Sequence, residues 1–181
     1  MAACEKLTSV KLSGTIHFIG ISGIGMSALA RILLQRGFAV SGSSDRRTAL
    51  TARLAEEGAE IFIGHDARNL GDAKTVVVSS AIDPANAELA AARAASLQVM
   101  YRGALLAQLM QGRRAIAIAG THGKTTTTAM TACVLEASGL DPTVVVGGER
   151  VDTRSNAHDG RGEWFVAESD ESDRSFLEMH P

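Results

Sequence analysis

Residues 115–128 read Ala-Ile-Ala-Ile-Ala-Gly-Thr-His-Gly-Lys-Thr-Thr-Thr-Thr, and this stretch predicts a strand, a glycine loop and a helix in that order. In such a loop the backbone N–H groups point into one concavity, and the positive end of the following helix adds to their attraction for phosphate. Lys124 supplies a point charge for the outer phosphates, and Thr125 stands where a P-loop threonine holds Mg²⁺. The stretch therefore predicts a phosphate-binding site.

The glycine loop departs from the general P-loop pattern at one position. That pattern has a glycine five residues before the Gly-Lys pair, where this chain has Ile118, so the loop is a shorter Gly-x-x-Gly-Lys-Thr that begins at Gly120. The alternative is a chance Gly-Lys-Thr at the start of a helix. The apolar run before the loop and the helical segment after it favour the phosphate site, because they are the context that supports such a motif.

Residues 164–173 form an apolar run with acidic residues at its end, Trp-Phe-Val-Ala-Glu-Ser-Asp-Glu-Ser-Asp. A strand that ends in a carboxylate is how a P-loop enzyme presents its second Mg²⁺ contact, and Glu168 ends this strand. The alternative for the acidic run is a solvated loop or the start of a helix. That alternative fits Asp173 better than it fits Glu168.

A second glycine-rich turn, Gly-Ile-Ser-Gly-Ile-Gly at 20–25, lies near the N-terminus. A predicted strand at 15–19 precedes it, and a predicted helix at 26–35 and strand at 38–42 follow, with Asp45 just past their end. This βαβ unit predicts an anion site at the helix start. A dinucleotide fingerprint needs glycine where Ser22 stands, so the unit indicates a nucleotide-type site other than the standard nicotinamide one. The alternative is that the glycines only permit tight packing of helix on strand.

Strands and helices alternate along the rest of the chain, which predicts an α/β fold. Ser79 and Ser80 follow a β-branched strand at its carboxyl end, where ligands bind in open α/β sheets. The segment Gly-Arg-Arg at 112–114 is the best candidate for a domain boundary, because a complete strand–loop–helix unit starts after it. The remaining predicted elements are strands at 59–63, 75–78, 98–101, 115–119, 143–146 and from 164, helices at 49–57, 86–95, 102–111 and 124–138, and a loop at 147–162.

Composition excludes several classes of protein. The chain has 181 residues, enough for one large or two small domains, and 45% of them are hydrophobic, which supports a core. With a net charge of −2, the chain lacks the excess of positive charge that proteins use to bind nucleic acid or an anionic membrane. Residues 1–14 lack the apolar core of a signal peptide, and no stretch is long enough to span a bilayer. Cys4 and Cys133 lack metal-ligand spacing, and Cys133 is interpreted as a small core residue.

Three blocks carry a resemblance to a known family: Gly-Ile-Ser-Gly-Ile-Gly-Met-Ser at 20–27, Gly-Thr-His-Gly-Lys-Thr-Thr-Thr-Thr at 120–128 and Glu-Ser-Asp-Glu-Ser-Asp at 168–173. Together they resemble the Mur ligases of peptidoglycan synthesis, and the blocks at 64–69 and 79–82 resemble the same enzymes. The Gly-Thr-x-Gly-Lys-Thr block is specific to the wider superfamily. His122 together with Asp-Glu-Ser-Asp resembles the branch that joins L-alanine to UDP-N-acetylmuramate. The resemblance covers residues 15–181.

The resemblance implies a Rossmann-like, parallel-sheet domain for the UDP substrate at 1–112 and the first part of a P-loop ATPase domain at 113–181. It also implies that the rest of the ATPase domain and a third domain are missing, and that the enzyme is cytoplasmic. A sheet that lacks the strands of the missing part would expose an apolar edge, so we expect poor solubility or aggregation from the part beyond residue 112.

The implied reaction is ATP-dependent amide formation through an acyl phosphate, with ATP and Mg²⁺ as cofactors and UDP-N-acetylmuramate and L-alanine as substrates. Lys124 is the implied catalytic residue, and Thr125 and Glu168 are the implied Mg²⁺ ligands. Ser22 and Ser169 replace a glycine and an alanine that are common in the family, and both are small enough to be tolerated. The implied ATP-binding residues are Gly120, Thr121, His122, Gly123, Lys124, Thr125 and Thr126, and the implied UDP-substrate residues are Gly20, Ser22, Gly23, Ile24, Gly25, Asp45, His65, Ser79 and Ser80.

Three alternatives stay open at this stage. Within the family, the ligase that reattaches recycled murein peptides shares the same blocks. A nicotinamide dehydrogenase would explain the first glycine turn but leaves the second loop without a role. A non-catalytic nucleotide-binding module would use both loops without a reaction.

Overall fold

The computed structural model describes residues 12–169, which form two sheets. The first sheet has five parallel strands in the order β3-β2-β1-β4-β5. The chain adds β2 and β3 on one side of β1 and then β4 and β5 on the other, so the strand order reverses between β1 and β4. In Rossmann-like sheets this reversal is the crevice that binds nucleotides. The five strands are β1 at Ile16–Ile19, β2 at Val40–Ser44, β3 at Glu60–Ile63, β4 at Thr75–Val78 and β5 at Gln98–Tyr101.

Three helices connect these strands, and a fourth leads from β5 to the second sheet; local chemistry explains where two of the four start. Thr48 forms a capping box with Thr51 at the start of α2, and the Asn86 side chain accepts the Glu88 and Leu89 N–H groups at the start of α3. The helices are α1 at Ile24–Gln35, α2 at Ala49–Glu56, α3 at Ala87–Ala94 and α4 at Arg102–Met110, and a 3₁₀ turn lies at Ala67–Leu70.

The second sheet has four strands in the order β6-β9-β7-β8. Three of them run parallel, and β8 pairs antiparallel with β7. The elements are β6 at Arg114–Ile118, α5 at Lys124–Ala137, β7 at Thr143–Val145, β8 at Ala157–His158 and β9 at Trp164–Glu168. The α/β class and the Rossmann-like first sheet expected from the sequence are confirmed.

Helix α1 joins the two sheets, because residues 26–33 are all buried. One face packs on the first sheet, and the segment around β8 covers the other. There the Asn156 side chain donates to the Ile24 carbonyl at 2.8 Å and to Ser27 Oγ at 2.9 Å. Arg31, almost fully buried, donates from Nε to both Glu57 oxygens and from Nη1 to Asn156 Oδ1. The first turn of α1 is therefore tied directly to the second sheet.

Three sequence expectations were wrong in detail. β8 lies inside the expected loop at 147–162, since a two-residue strand has no readable alternation. β2 was expected at 38–42 but occupies Val40–Ser44, because its last residues are buried serines that resemble a loop. Cys133 was expected in the core but is exposed, because α5 turns Thr128 and Ala132 inward instead.

The acidic run beyond Ser169 and the first eleven residues, including Cys4 and Asp173, lie outside the described residues. Among residues 12–169, no helix combines the length and the apolar character that a membrane span needs.

Candidate active site

The glycine loop between β6 and α5 has the geometry of a phosphate site. Gly123 precedes α5 with φ +77°, a backbone conformation that favours glycine, and no side chain caps the helix. The first N–H groups of α5 therefore remain available to an anion at the positive end of the helix. Lys124 begins the helix, and its Nζ donates to the Gly120 carbonyl at 2.7 Å, so the ammonium group lies across the loop.

Two oxygen-bearing side chains meet beside this loop. Thr125 Oγ1 donates to Glu168 Oε2 at 3.3 Å, and the Gly147 N–H donates to Glu168 Oε1 at 2.7 Å. A methyl group at Gly147 would overlap the Glu168 carboxylate, so glycine is required for this approach. Two oxygens that share an octahedral Mg²⁺ lie about 3 Å apart, and Mg²⁺ prefers oxygen ligands. The Thr125–Glu168 pair therefore fits a Mg²⁺ ion.

The first glycine turn lies at the crevice between β1 and β4. Its backbone is held from β2: the Gly20 and Ile21 N–H groups both donate to the Ser43 carbonyl, at 3.0 and 2.9 Å. Ser44 Oγ donates to Ser22 Oγ at 2.8 Å. Gly23 precedes α1 without a side-chain cap, so the N–H groups at the start of α1 are also available to an anion.

A cavity of about 170 Å³ lies between the starts of α1 and α5. Ile24, Gly25 and Arg102 line one side, and Lys124, Gly147 and Glu168 line the other. Leu29, Leu106, Val145 and Val146 complete the lining. Both glycine loops therefore lead to a helix start that has no side-chain cap and that lines one cavity.

Sequence reasoning missed Arg102 as a site residue. It was assigned only to a helix, whereas the structure brings its guanidinium group against the first turn of α1, where a methyl group at Gly25 would overlap it. The available signal was an arginine directly after a strand of a parallel sheet, at the carboxyl edge.

The loops after β2 and β3 meet at the same edge of the first sheet. His65 Nε2 lies 3.2 Å from Asp45 Oδ1, and His65 Nδ1 lies 2.9 Å from Glu88 Oε2. Burial alone would raise the pKa of Glu88, but its contacts with His17, Ser43, His65 and Asn69 outweigh burial and lower the pKa to about 2. Sequence reasoning found Asp45 and His65 but missed the buried Glu88, which looked like an ordinary helix residue.

Ser79 and Ser80 follow β4 at this edge, and Ser80 is exposed. Ile82, whose N–H donates to the Ser79 carbonyl, contacts Gly20, so these serines lie beside the first glycine turn. Thr121, His122 and Thr126 are exposed on the second loop. The predicted residues thus form two groups, one at each loop, and their ligand roles stay predictions.

A separate group of potential metal ligands lies between the far half of α5 and the loop after β7. Cys133, Glu136 and Asp152 have ligand atoms close together, but the Arg150 guanidinium group bonds to all three. This arginine lowers the pKa of Asp152 and already supplies the positive charge. The group is therefore an ion-pair cluster that fastens the loop after β7 to α5.

Comparison with known proteins decides the family. A family model described as "Mur ligase family, catalytic domain" matches residues 15–114, more than half of the chain. The chain belongs to the Mur ligase family. The UDP-N-acetylmuramate–L-alanine ligase of Symbiobacterium thermophilum is 56% identical over 167 residues, which are 92% of this Mur ligase chain and 34% of that protein.

Solved structures of Mur ligases agree with this result. The UDP-N-acetylmuramate-alanine ligase of Thermotoga maritima matches with a TM-score of 0.85 and 37% identity, over 93% of this chain and 40% of that one. A murein peptide ligase from Psychrobacter arcticus matches with a TM-score of 0.84 and 28% identity, over 93% of this chain and 42% of that one. This Mur ligase chain thus spans between 34% and 42% of the length of these three relatives.

Proposed function

We propose that this chain supplies the UDP-substrate and ATP sites of an ATP-dependent ligase that joins L-alanine to UDP-N-acetylmuramate. The observation that carries the proposal is the shared cavity, in which the start of α1 faces Lys124 and Glu168. Two anions that must react with each other need two anion sites that open into one space. The identity to the Symbiobacterium ligase, at 56%, supports this substrate pair.

In the proposed reaction the muramate carboxylate attacks the γ-phosphorus of ATP, the bond from that phosphorus to the β–γ bridging oxygen breaks, and ADP leaves. The alanine amine then attacks the acyl carbon of the acyl phosphate, and phosphate leaves. Lys124 and the N–H groups at the start of α5 neutralise charge on the transferred phosphoryl group. Mg²⁺, held by Thr125 and Glu168, would add charge neutralisation on the phosphate oxygens.

We assign the UDP end of the substrate to the first sheet, over residues 1–112, and ATP to the part from 113 onward. The pyrophosphate lies at the start of α1, against the backbone of Gly20, Ser22, Gly23, Ile24 and Gly25. Asp45, His65, Ser79 and Ser80 face the nucleoside. The muramate end reaches the cavity, where the positive Arg102 attracts its carboxylate, while Lys124 serves the phosphates of ATP.

The murein-peptide recycling ligase is the second candidate. The match to the Psychrobacter enzyme, over 93% of this chain, supports it. The two candidates share the UDP-substrate and ATP sites and differ in the group they attach. The described residues contain no contact that selects between an amino acid and a peptide.

The test is a calorimetric titration of the 181-residue chain. We expect UDP-N-acetylmuramate to bind and NAD to give no heat, because Ser22 occupies the position where a dinucleotide needs glycine. ATP with Mg²⁺ is expected to bind independently at the second loop. Binding of NAD alone would instead support a dehydrogenase, and no binding of either nucleotide by a folded chain would contradict the assignment of the first sheet.

A further inference from the structure

A histidine lies between two carboxylates at the edge of the first sheet. His65 Nδ1 is 2.9 Å from Glu88 Oε2, and His65 Nε2 is 3.2 Å from Asp45 Oδ1. Glu88 is fully buried on α3, whereas the Asp45 side chain, just past β2, is 89% exposed. One ring therefore contacts an acid that cannot move and an acid that is open to water.

The donors and acceptors of this group determine the protonation of the ring. An ionised carboxylate only accepts hydrogen bonds, and a neutral imidazole carries a single N–H. Each ring nitrogen of His65 faces a carboxylate oxygen. Ser43 Oγ also lies 3.0 Å from Nδ1, but it has one proton and donates it to Glu88 Oε2 at 2.6 Å. Both carboxylate contacts are therefore satisfied only when both nitrogens carry a proton. In the neutral ring the single proton stays on Nδ1, since the buried Glu88 must keep its donor. The Nε2 lone pair then repels Asp45, which turns into solvent.

Other groups around the buried carboxylate keep it ionised. Ser43 Oγ donates to Oε2 at 2.6 Å, and Asn69 Nδ2 donates to Oε1 at 2.7 Å. His17 on β1 places Nε2 at 3.6 Å from Oε1, within ion-pair range but too far for a hydrogen bond. On the loop that carries His65, Asp66 and Arg68 pair with each other at 2.7 Å.

We propose that Glu88 sets the protonation of His65 and thereby positions Asp45 in the UDP-substrate site. With both ring nitrogens protonated, His65 fixes the Asp45 carboxylate where it accepts hydrogen bonds from the hydroxyl groups of a ribose. The acid at the end of the second strand is where Rossmann-like sheets bind ribose. The proposal rests on the proposed UDP-substrate function. It requires affinity for the UDP-sugar to fall as the pH rises and His65 loses a proton.

A Glu88→Gln variant gives a result that a merely structural role would not give. A glutamine amide can donate to Nδ1, so the neutral ring can carry its proton on Nε2 and still hold Asp45. We therefore expect the dissociation constant of UDP-N-acetylmuramate for the wild-type chain to rise about tenfold between roughly pH 6 and pH 9. In Glu88→Gln this pH dependence should disappear. In Asp45→Asn binding should be weak and independent of pH, and Asp72→Asn, an exposed acid on the loop before β4, should behave like wild type.

Nitrogen-15 NMR of the histidine rings tests the protonation part without any ligand. When the wild-type ring loses its first proton as the pH rises, the remaining proton should stay on Nδ1. In Glu88→Gln it should remain on Nε2. If Glu88→Gln does not fold, the wild-type spectra still show which ring nitrogen keeps the proton, and Asp45→Asn still tests whether Asp45 causes the pH dependence of binding.

The outcomes separate this proposal from the proposed function. If wild type binds no UDP-sugar, the proposed function and the ribose role fail together, and the NMR result alone decides the role of Glu88 in protonation. If wild type binds with an affinity that does not depend on pH, or if Asp45→Asn keeps the wild-type pH dependence, the positioning role is wrong while the proposed function stands. A neutral wild-type ring that keeps its proton on Nε2 would also overturn it.

Discussion

Replacement of Gly147 by alanine should weaken Mg²⁺-dependent ATP binding without unfolding the protein. The added methyl group would overlap Glu168 Oε2 and lie 3.1 Å from the carboxylate carbon, so the carboxylate must move by roughly 1 Å. The end of a flexible side chain can move at little cost, and the Gly147 backbone is not in the left-handed region. The melting temperature should therefore change by less than about 2 °C.

The expected loss follows from the role of Glu168. Small displacements around a metal ligand cost about 10- to 100-fold in metal affinity, or roughly 1.4–2.7 kcal/mol. The assay is calorimetric titration of the chain with ATP, with and without Mg²⁺. Wild type should bind ATP more tightly with Mg²⁺, and Gly147→Ala should lose most of that gain.

Gly148→Ala is the matched control for this experiment. It adds the same methyl group to the same loop, but its nearest neighbour is the Thr125 methyl group at 3.2 Å rather than a carboxylate oxygen. It should retain most of the Mg²⁺ effect. A Gly147→Ala protein that keeps the full wild-type Mg²⁺ effect would refute the assignment of Glu168 as a metal ligand.

Three further predictions follow from other contacts. Lys124→Ala should weaken ATP binding in calorimetry by about 10- to 100-fold, because a charged hydrogen bond is lost. It should leave the affinity for UDP-N-acetylmuramate unchanged, and the control variant Lys74→Ala should change neither affinity. Arg31→Ala should lower the free energy of unfolding in urea by about 3 kcal/mol, because the buried Asn156 Oδ1 loses the hydrogen bond that Arg31 donates. Arg68→Ala removes only an exposed ion pair with Asp66 and should cause no measurable change. The pKa of Glu88 lies below its usual 4.5, at about 2, so its ionised form stabilises the fold above pH 4.5 and this contribution is lost as the pH falls towards 2. Urea unfolding at about pH 7 and about pH 3 should therefore show a smaller acid-induced loss for Glu88→Gln than for wild type, and equal losses would contradict the pKa shift.

The elements that carry the two loops could be predicted because their signals are local. The apolar run before Gly120 and the helix after Lys124 are each contiguous, and the structure has β6 and α5 there. β4 and β5 occupy the predicted residues because β-branched and apolar side chains are continuous in them. Thr125 and Glu168, 43 residues apart, were paired on the resemblance to P-loop enzymes, and the structure has them in hydrogen-bond contact.

Contacts between distant segments could not be predicted from local patterns. Arg31 lies within the predicted helix at 26–35, and no local pattern indicates its hydrogen bond to Asn156, 125 residues later. Glu88 lies near the start of the predicted helix at 86–95, and only the tertiary fold brings Ser43 and His65 to it. Arg102 could be placed at the carboxyl edge of the first sheet, but its contact with Gly25 of α1 and its place in the cavity come from the tertiary fold.

Both glycine loops serve one reaction in the proposed function. A crystal structure of the chain with UDP-N-acetylmuramate, Mg²⁺ and a non-hydrolysable ATP analogue would test this joint role. We expect the pyrophosphate at the start of α1, the triphosphate at the start of α5, and the muramate carboxylate about 3–3.5 Å from the γ-phosphorus in the cavity beside Lys124. A UDP-sugar bound with its carboxylate outside that cavity, or at the other edge of the sheet, would show that the two loops do not act together.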